Sequence, residues 1–486
     1  MTSNGTTANG VSEGNAIDAL DGKVRGVFDA MTIDKRRLPM SQLQKRGVPA
    51  YVAEWILDTV VPGVGPLTGE EASRVQDWAV RNIPGPGDQN VVKARLLRGE
   101  TVRVLNPVQV EVILKRTRQE QVAKLGLLGI DDALISDDLV KRFPRLLKEG
   151  LWGVVELTST PEGVAVVNVR PMQATVNVEM YKEARSHFNL EEWRSLLVTS
   201  MGYNPLAFTQ DQQTWLLCRL IPLVQKNMTL TELAPKGTGK SYVFENVSPK
   251  VRVISGGNVS PAVLFVNNST GQWGLLARFA VVVLDEVQTL RFDKPEEIIG
   301  GLKGYLANGR ISRAGLYETS SDCGFVMLAN ITLDANQRPA IEPLVKELPE
   351  FMQETAFLDR LKGIIPGWEL PKLSNSSFAV NVGLKSDFFG DALVALRDDL
   401  SGDQYCVRRV RLKGQKTYRR NEEAISTGAA GLMKILFPDG KVSDQDFWRY
   451  CVRPAIRMRQ LIWEQMYQLD AEYRQYELNL ECELVD

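Results

Sequence analysis

The chain has 486 residues, 44% of them apolar and 24% charged, with a formal net charge of −1. That length allows two or three domains with sizeable cores, and the composition is that of a soluble globular protein rather than a fibrous or disordered one. A near-zero charge balance excludes a generally basic nucleic-acid binder, so any such affinity has to reside in a local patch.

Residues 1–15 are polar and rich in Gly and Thr, without an apolar h-region, so residues 1–16 read as a disordered tail and not as a signal peptide. No run approaches the length of a transmembrane helix, and no membrane partner is expected. The five cysteines are scattered without a CxxC pair. That argues against a disulfide framework or zinc site and places the protein in a reducing cytoplasm. His187 is the only histidine and lies in a polar stretch, so it reads as a surface residue. A Ser-His-Asp triad would have to rely on it alone.

Residues 17–175 form an N-terminal α+β unit. Apolar spacing over 48–60 and 71–80 predicts helices, and the Pro-Gly-Pro-Gly run at 84–87 ends them. Alternating or β-branched runs over 101–117, 151–159 and 163–169 predict strands of a small barrel or sheet, with helical segments between the first and second. The unit carries no recognisable chemistry of its own.

Residues 176–400 predict a doubly wound α/β core. Helices over 180–196 and 214–224 lead into the alternating run 228–232, and the stretch 233–242 follows, reading Leu-Ala-Pro-Lys-Gly-Thr-Gly-Lys-Ser-Tyr. A strand that turns into a helix through Gly and Lys-Ser is the context of a phosphate-binding loop. Gly237 and Gly239, with Thr238 between them, let backbone N–H groups turn inward around phosphate oxygens. Lys240 reaches the β- and γ-phosphates, the Ser241 hydroxyl ligates Mg²⁺, and Tyr242 flanks the nucleotide. The following helix adds its N-terminal dipole. One departure is plain: Ala234 stands where the motif has its first glycine. ATP and Mg²⁺ are the implied cofactors.

A strand over 251–255 follows, then Gly256, Gly257 and a helix from about Pro261. The apolar run 279–284 fits a central parallel strand and ends in Asp285-Glu286. Asp285 would hold the Mg²⁺ shell, and Glu286 would polarise the attacking water. An acidic pair ending a strand is common alone, but downstream of a phosphate loop it has a use. Residues 295–308 predict a helix, 310–318 a short hairpin, and 324–328 another buried strand that runs out at Asn330. The Asn330 amide is placed to contact the γ-phosphate or the lytic water, although an ordinary strand-ending Asn would look the same. Arg360, in Thr-Ala-Phe-Leu-Asp-Arg-Leu, suits an arginine finger reaching a neighbouring subunit, or else a surface ion pair with Asp359 or Glu354.

Residues 401–486 read as a basic segment and a helical lid, with helices over 421–437 and 446–476. Arg453, Arg457 and Arg459 lie in the second, and Arg457 is the candidate for nucleotide contact. The densest basic run, 405–420, holds Arg408, Arg409, Arg411 and Lys413 flanked by tyrosines. Such a run suits DNA phosphates, or is a solvated loop. Arg310 and Arg313 on the hairpin form a second candidate DNA contact.

Taken together, the loop and the stretches 253–257, 283–286 and 357–371 resemble the BrxL family, the Lon-related AAA+ proteins of BREX bacteriophage-defence systems. The similarity extends through 150–152, 192–193 and 431–440, and 364–371 is its most specific piece. The resemblance implies a cytoplasmic AAA+ ring, or stacked rings, built like MCM helicases, with an N-terminal DNA-engaging domain. Double-stranded DNA, other copies of itself and other BREX proteins would be its partners. It carries over Lys240 and Ser241 for nucleotide, Asp285 and Glu286 for metal and water, and Asn330 and Arg360 for sensing. Longer members continue into a Lon-protease-like domain, whereas this sequence stops after the lid helix; it reads as a short form in which proteolysis is not expected. Two alternatives stand beside a DNA motor. One is a protein-remodelling unfoldase, which would want an aromatic pore residue where 256–260 is Gly-Gly-Asn-Val-Ser. The other is an ATP-gated DNA clamp that does not translocate.

Overall fold

The computed structural model describes residues 8–485 except 86, 116–117, 173–175, 270, 314–316 and 415. Residues 1–7 of the expected tail therefore lie outside the described residues, and helix α1 opens at once over Ala8–Phe28. The chain divides into two compact units, one of them Ile33–Thr175 with Lys385–Phe388 and the other made of the remaining segments.

The smaller unit joins a helical layer to a closed barrel. Helices α2 (Ala50–Val60), α3 (Gly69–Asn82) and α4 (Gln89–Leu97) precede the strands. α3 starts where the sequence offers a capping box: Thr68 accepts from the N–H of Glu71, and the Glu71 carboxylate returns to the N–H of Thr68. Strands β1 (Val102–Lys115), β2 (Arg118–Leu125), β3 (Ile130–Ile135), β4 (Leu151–Thr160) and β5 (Gly163–Pro171) close in the order β1-β2-β3-β5-β4. Inside lie Val104, Val108, Val110, Ala123, Leu125 and Val155.

The expectation of helices between the first two predicted strands is corrected here. Two further strands occupy Arg118–Leu125 and Ile130–Ile135 of that interval, and among its described residues only Asp137–Arg142 is α-helical. The sequence of β2, Arg-Gln-Glu-Gln-Val-Ala-Lys-Leu, is made largely of good helix formers. Its antiparallel register with β1, running from Val108↔Leu125 to Lys115↔Arg118, overrides that preference.

In the larger unit α5 (Leu190–Ser200) and α6 (Gln210–Cys218) lead to β6 (Thr229–Ala234), which is buried at every residue. The chain then forms α7 (Lys240–Asn246), β7 (Val251–Ser255), β8 (Val281–Asp285), α8 (Pro295–Asn308) and the hairpin β9 (Arg310–Arg313) with β10 (Tyr317–Ser320). It returns through β11 (Gly324–Asn330) and β12 (Gly363–Pro366). The five strands run parallel in the order β12-β6-β11-β8-β7. Both neighbours of β6 come from later in the chain. The crevice beyond its C-terminal end is thus the switch point at which open α/β sheets bind ligands.

The C-terminal region holds α9 (Ser401–Arg409), β13 (Val410–Leu412), α10 (Arg419–Leu436), α11 (Arg453–Leu469) and β14 (Cys482–Leu484), the two strands pairing antiparallel. The second lid helix opens as an α turn over Asp444–Phe447 and passes through a π turn over Trp448–Val452. An AAA+ core with an N-terminal α+β unit and C-terminal helices is the fold class the sequence predicts. Among the described residues no helix is long and apolar enough to cross a membrane.

Candidate nucleotide site

The turn from β6 to α7 is held in shape by glycine conformations and by neighbours. Gly237 (φ +87°) and Gly239 (φ +72°) are left-handed, a region costly to residues with a Cβ. Space matters too: a Cβ on Gly239 would lie 2.6 Å from Leu373 Cδ1 and 2.7 Å from the Tyr203 hydroxyl. The N–H of Leu373 donates to Gly237 O at 2.8 Å, and Thr238 Oγ1 donates to Pro235 O at 3.3 Å. The Ala234 departure has a partner. A Cβ at position 367 would overlap that of Ala234, so Gly367 makes the room that the extra methyl needs.

Parallel register brings the chemistry together. Asn330 pairs with Ala234 across β11 and β6, and Asp285 ends β8 on the other side of β11. Two side chains from strand ends and one from the first turn of α7 then form a relay. Lys240 Nζ donates to Asn330 Oδ1 at 2.5 Å, and Asn330 Nδ2 donates to Glu286 Oε1 at 3.2 Å. Asp285 Oδ1 accepts the backbone N–H of Glu286 at 2.9 Å. Glu286 itself sits at φ +47°. A non-glycine residue there stores about 1–3 kcal/mol of strain, which tends to occur where a side chain must be aimed.

Burial depresses the Lys240 pKa, against the opposing pull of Glu232, Asp285 and Glu286. Ser241 follows Lys240 in the first turn of α7, and the Tyr242 ring lies 5.9 Å from that of Tyr203 and 6.3 Å from that of Phe378. Glu245, on the same helix, has its pKa raised by burial and then by the Asp285 charge. Sequence reasoning passed over Glu245, Tyr203, Arg219 and Glu232. Only Glu232 carried a signal: a carboxylate inside a strand of otherwise uncharged residues requires a cation.

The remaining predicted residues take no part in the relay. Arg360 is at the opposite end of the sheet, where its carbonyl accepts from Thr229 Oγ1 at 3.1 Å. Its guanidinium donates to Ala356 O, and its Nε has no partner among the described residues. The two acids proposed as its ion-pair partners are held by other residues. Glu354 is bound by Lys303, and Asp359 by Arg420, by the Tyr418 hydroxyl at 3.0 Å and by Arg459 at 3.3 Å. Arg459 is fully buried and also bonds Asn421 Oδ1 at 2.8 Å, so it belongs to the core. Arg457 is 43% exposed and lies 3.7 Å from Glu369, just past β12.

In the basic run, Arg409 pairs with Asp444 at 2.7 Å and with the Tyr405 hydroxyl at 2.8 Å, while Arg411 donates to Val407 O and Val410 O at 2.5 and 2.9 Å. Lys413 lies 3.9 Å from Glu483, and exposed Arg408 donates to Gln404 O at 3.3 Å. On the hairpin, Arg310 is 3.3 Å from Glu318; the Arg313 side chain lies outside the described residues.

Residues 164–479 match the family described as Lon-like protease BrxL-like, ATPase domain. The chain belongs to the BrxL family. Residues 26–158 match the BREX system Lon protease-like protein BrxL N-terminal region. Among curated BrxL relatives, the Lon-like protease BrxL of Escherichia coli O9:H4 (strain HS) is 29% identical over 94% of this chain and 66% of its own length. That of Bacillus cereus (strain H3081.97) is 29% identical over 86% of this chain and 62% of its own. The chain thus spans about two thirds of the length of these BrxL relatives. A solved full-length MCM homologue from Methanopyrus kandleri covers 88% of this chain, and all of its own length, at 12% identity and a TM-score of 0.41. That likeness is too slight to bear on function. The BrxL ATPase domain encloses every residue of the relay and of the phosphate loop.

Proposed function

We propose that this chain is a cytoplasmic ATPase that assembles into a homo-oligomeric AAA+ ring, acting on double-stranded DNA with other BREX proteins in bacteriophage defence. The observation that carries the ATPase part is the relay from Lys240 through Asn330 to Glu286 at the switch point. A cation that binds phosphate, an amide that touches it and a carboxylate at the far end are the parts that in-line γ-phosphate hydrolysis needs. Lys240 and the N–H groups of Gly237, Thr238 and Gly239 take the phosphates, Tyr242 and Arg457 flank the nucleotide, and Glu286 orients the water.

The Ser241 hydroxyl and Asp285 are an oxygen donor set that suits Mg²⁺, which is held by one or two protein oxygens together with phosphates and water. When bound, the cation neutralises charge on the β- and γ-phosphates. Arg360, distant from its own loop and with an unpartnered Nε, serves the neighbouring subunit's nucleotide. Arg310, Arg313, Arg408 and Lys413 are the leading candidate DNA contacts, whereas Arg409 and Arg411 are already taken up by Asp444 and by backbone carbonyls. Proteolysis, named in the relatives, is no part of this reading.

Glu286→Gln tests it: ATP binding should persist while turnover falls by about 10²–10⁴, the range for a positioned general base. Near-normal turnover would remove Glu286 from that role. Measuring the wild-type ATPase with and without double-stranded DNA, with particle imaging for rings, tests the assembly. Stimulation of hydrolysis by DNA supports a motor; DNA retention without stimulation supports a clamp.

A further inference from the structure

Beneath the phosphate loop lies a cluster that the hydrolytic assignment does not use. Arg219 and Glu232 are both 0% exposed, and two hydrogen bonds of 2.6 and 3.0 Å join them. A buried ion pair of this kind is weak evidence of stability, because apolar residues of similar volume often serve as well. The remaining donors of the guanidinium suggest another use. Its Nη2 donates to Thr238 O at 3.2 Å and its Nη1 to Gly239 O at 3.4 Å. The fully buried Tyr203 donates its hydroxyl to the same Gly239 O at 2.9 Å. Glu232 and Tyr203 keep the Arg219 charge fixed: burial opposes it, yet their combined pull holds its pKa above the ordinary value.

Peptide geometry turns these contacts into a function. In a trans peptide the C=O of one residue and the N–H of the next point opposite ways. Drawing Thr238 O and Gly239 O toward Arg219 therefore turns the N–H groups of Gly239 and Lys240 to the other face, where a phosphate would lie. The loop's own sequence does not secure this, since glycine peptides rotate at little steric cost. The absence of a Cβ at Gly239 also lets Tyr203 approach.

We propose that Arg219 and Tyr203 are positioning residues that aim the phosphate-binding N–H groups of Gly239 and Lys240, with Glu232 anchoring the guanidinium. The inference rests on the reading of this loop as the nucleotide site. Such a clamp acts on ground state and transition state alike, so its loss should raise KM and leave kcat in place.

Two variants avoid confusion with misfolding. Tyr203→Phe keeps the ring and removes one donor; it should weaken ATP and ADP binding about three- to tenfold, the worth of one net hydrogen bond. Arg219→Met combined with Glu232→Leu replaces the pair by apolar volume; it should weaken binding by roughly ten- to a hundredfold, as loss of charge-assisted bonds implies. Kd by titration with a fluorescent ATP analogue, KM, kcat and melting temperature are measured together. The proposal expects KM and Kd to rise with the melting temperature and kcat held. Wild-type affinity in both variants, or weakening only where the melting temperature also falls, would overturn it. Lys240→Ala separates the two levels. If Lys240→Ala weakens binding and the clamp variants do not, only the clamp fails; if Lys240→Ala binds ATP normally, the loop assignment and the clamp fail together.

Discussion

The nucleotide end of the sheet and the basic run of 408–413 are both groups of charges, assembled in opposite ways. Lys240, Asp285, Glu286 and Asn330 are scattered along the sequence, and parallel strands deliver them to one edge, where they bond one another. Arg408, Arg409, Arg411 and Lys413 are almost contiguous, yet they disperse between α9 and β13 onto separate acceptors. Density of charge in a sequence is therefore a poor guide to its availability. Spacing that matches the ends of successive strands is a better one, because the sheet converts it into proximity.

Arg360 belongs to neither group, and it offers the largest test of the contrast. It has no part in its own relay and no carboxylate partner among the described residues, while adjacent Asp359 is anchored by Tyr418, Arg420 and Arg459. As a trans finger, Arg360→Ala should reduce turnover by about 10³-fold or more while rings still form. Mixing it with Glu286→Gln should then yield more activity than either pure variant, since some interfaces pair two intact residues. If co-assembled mixed rings recover nothing, Arg360 acts within its own chain or only structurally.

Asn330 gives the next effect. Its amide donates toward Glu286 and accepts from Lys240, so Asn330→Ala would break the relay at its middle. Turnover should fall by roughly 10²–10³, the loss found on removing one preorganised donor, with ATP affinity changed far less. An equal loss in affinity and turnover would make Asn330 a binding residue only.

Much of this site was legible because its signals are local. The turn through Gly237 and Gly239, the apolar run into Asp285-Glu286 and the buried strand ending at Asn330 each state their position in a few residues, and a parallel sheet supplies the rest. The clamp under the loop was hidden, since Tyr203 and Arg219 look like ordinary helix-flanking residues until the fold sets them under Thr238 and Gly239. The barrel was half legible. β1, β4 and β5 show β-branched alternation, but β2 is written in helix formers and owes its state to pairing with β1. Arg459 was grouped with Arg457 in sequence, although the two differ in exposure from fully buried to 43%.

The smallest expected effect concerns DNA and bears directly on the basic run. If paired charges are unavailable, Arg409, fixed to Asp444 and Tyr405, should contribute little to phosphate binding, whereas exposed Arg408 and loosely held Lys413 should contribute. Each phosphate contact releases condensed counterions, so log affinity should fall by roughly 0.9 per log unit of salt for every phosphate neutralised. In a fluorescence-anisotropy salt titration with duplex DNA, Arg408→Ala with Lys413→Ala should flatten the slope by about one to two units, while Arg409→Ala leaves it near the wild-type value. Backbone contacts carry little sequence information, so the shift should be alike for unrelated duplexes. Arg310→Ala, on the hairpin that links α8 to β11, should reduce DNA stimulation of the ATPase more than it reduces affinity. A slope flattened as much by Arg409→Ala as by the Arg408 and Lys413 pair would mean that the Asp444 ion pair opens to DNA. An ion pair whose carboxylate faces solvent is weak and screened by salt, so several phosphates can outcompete it. Unchanged slopes in both variants would exclude this basic run, and the barrel unit would become the DNA path to test.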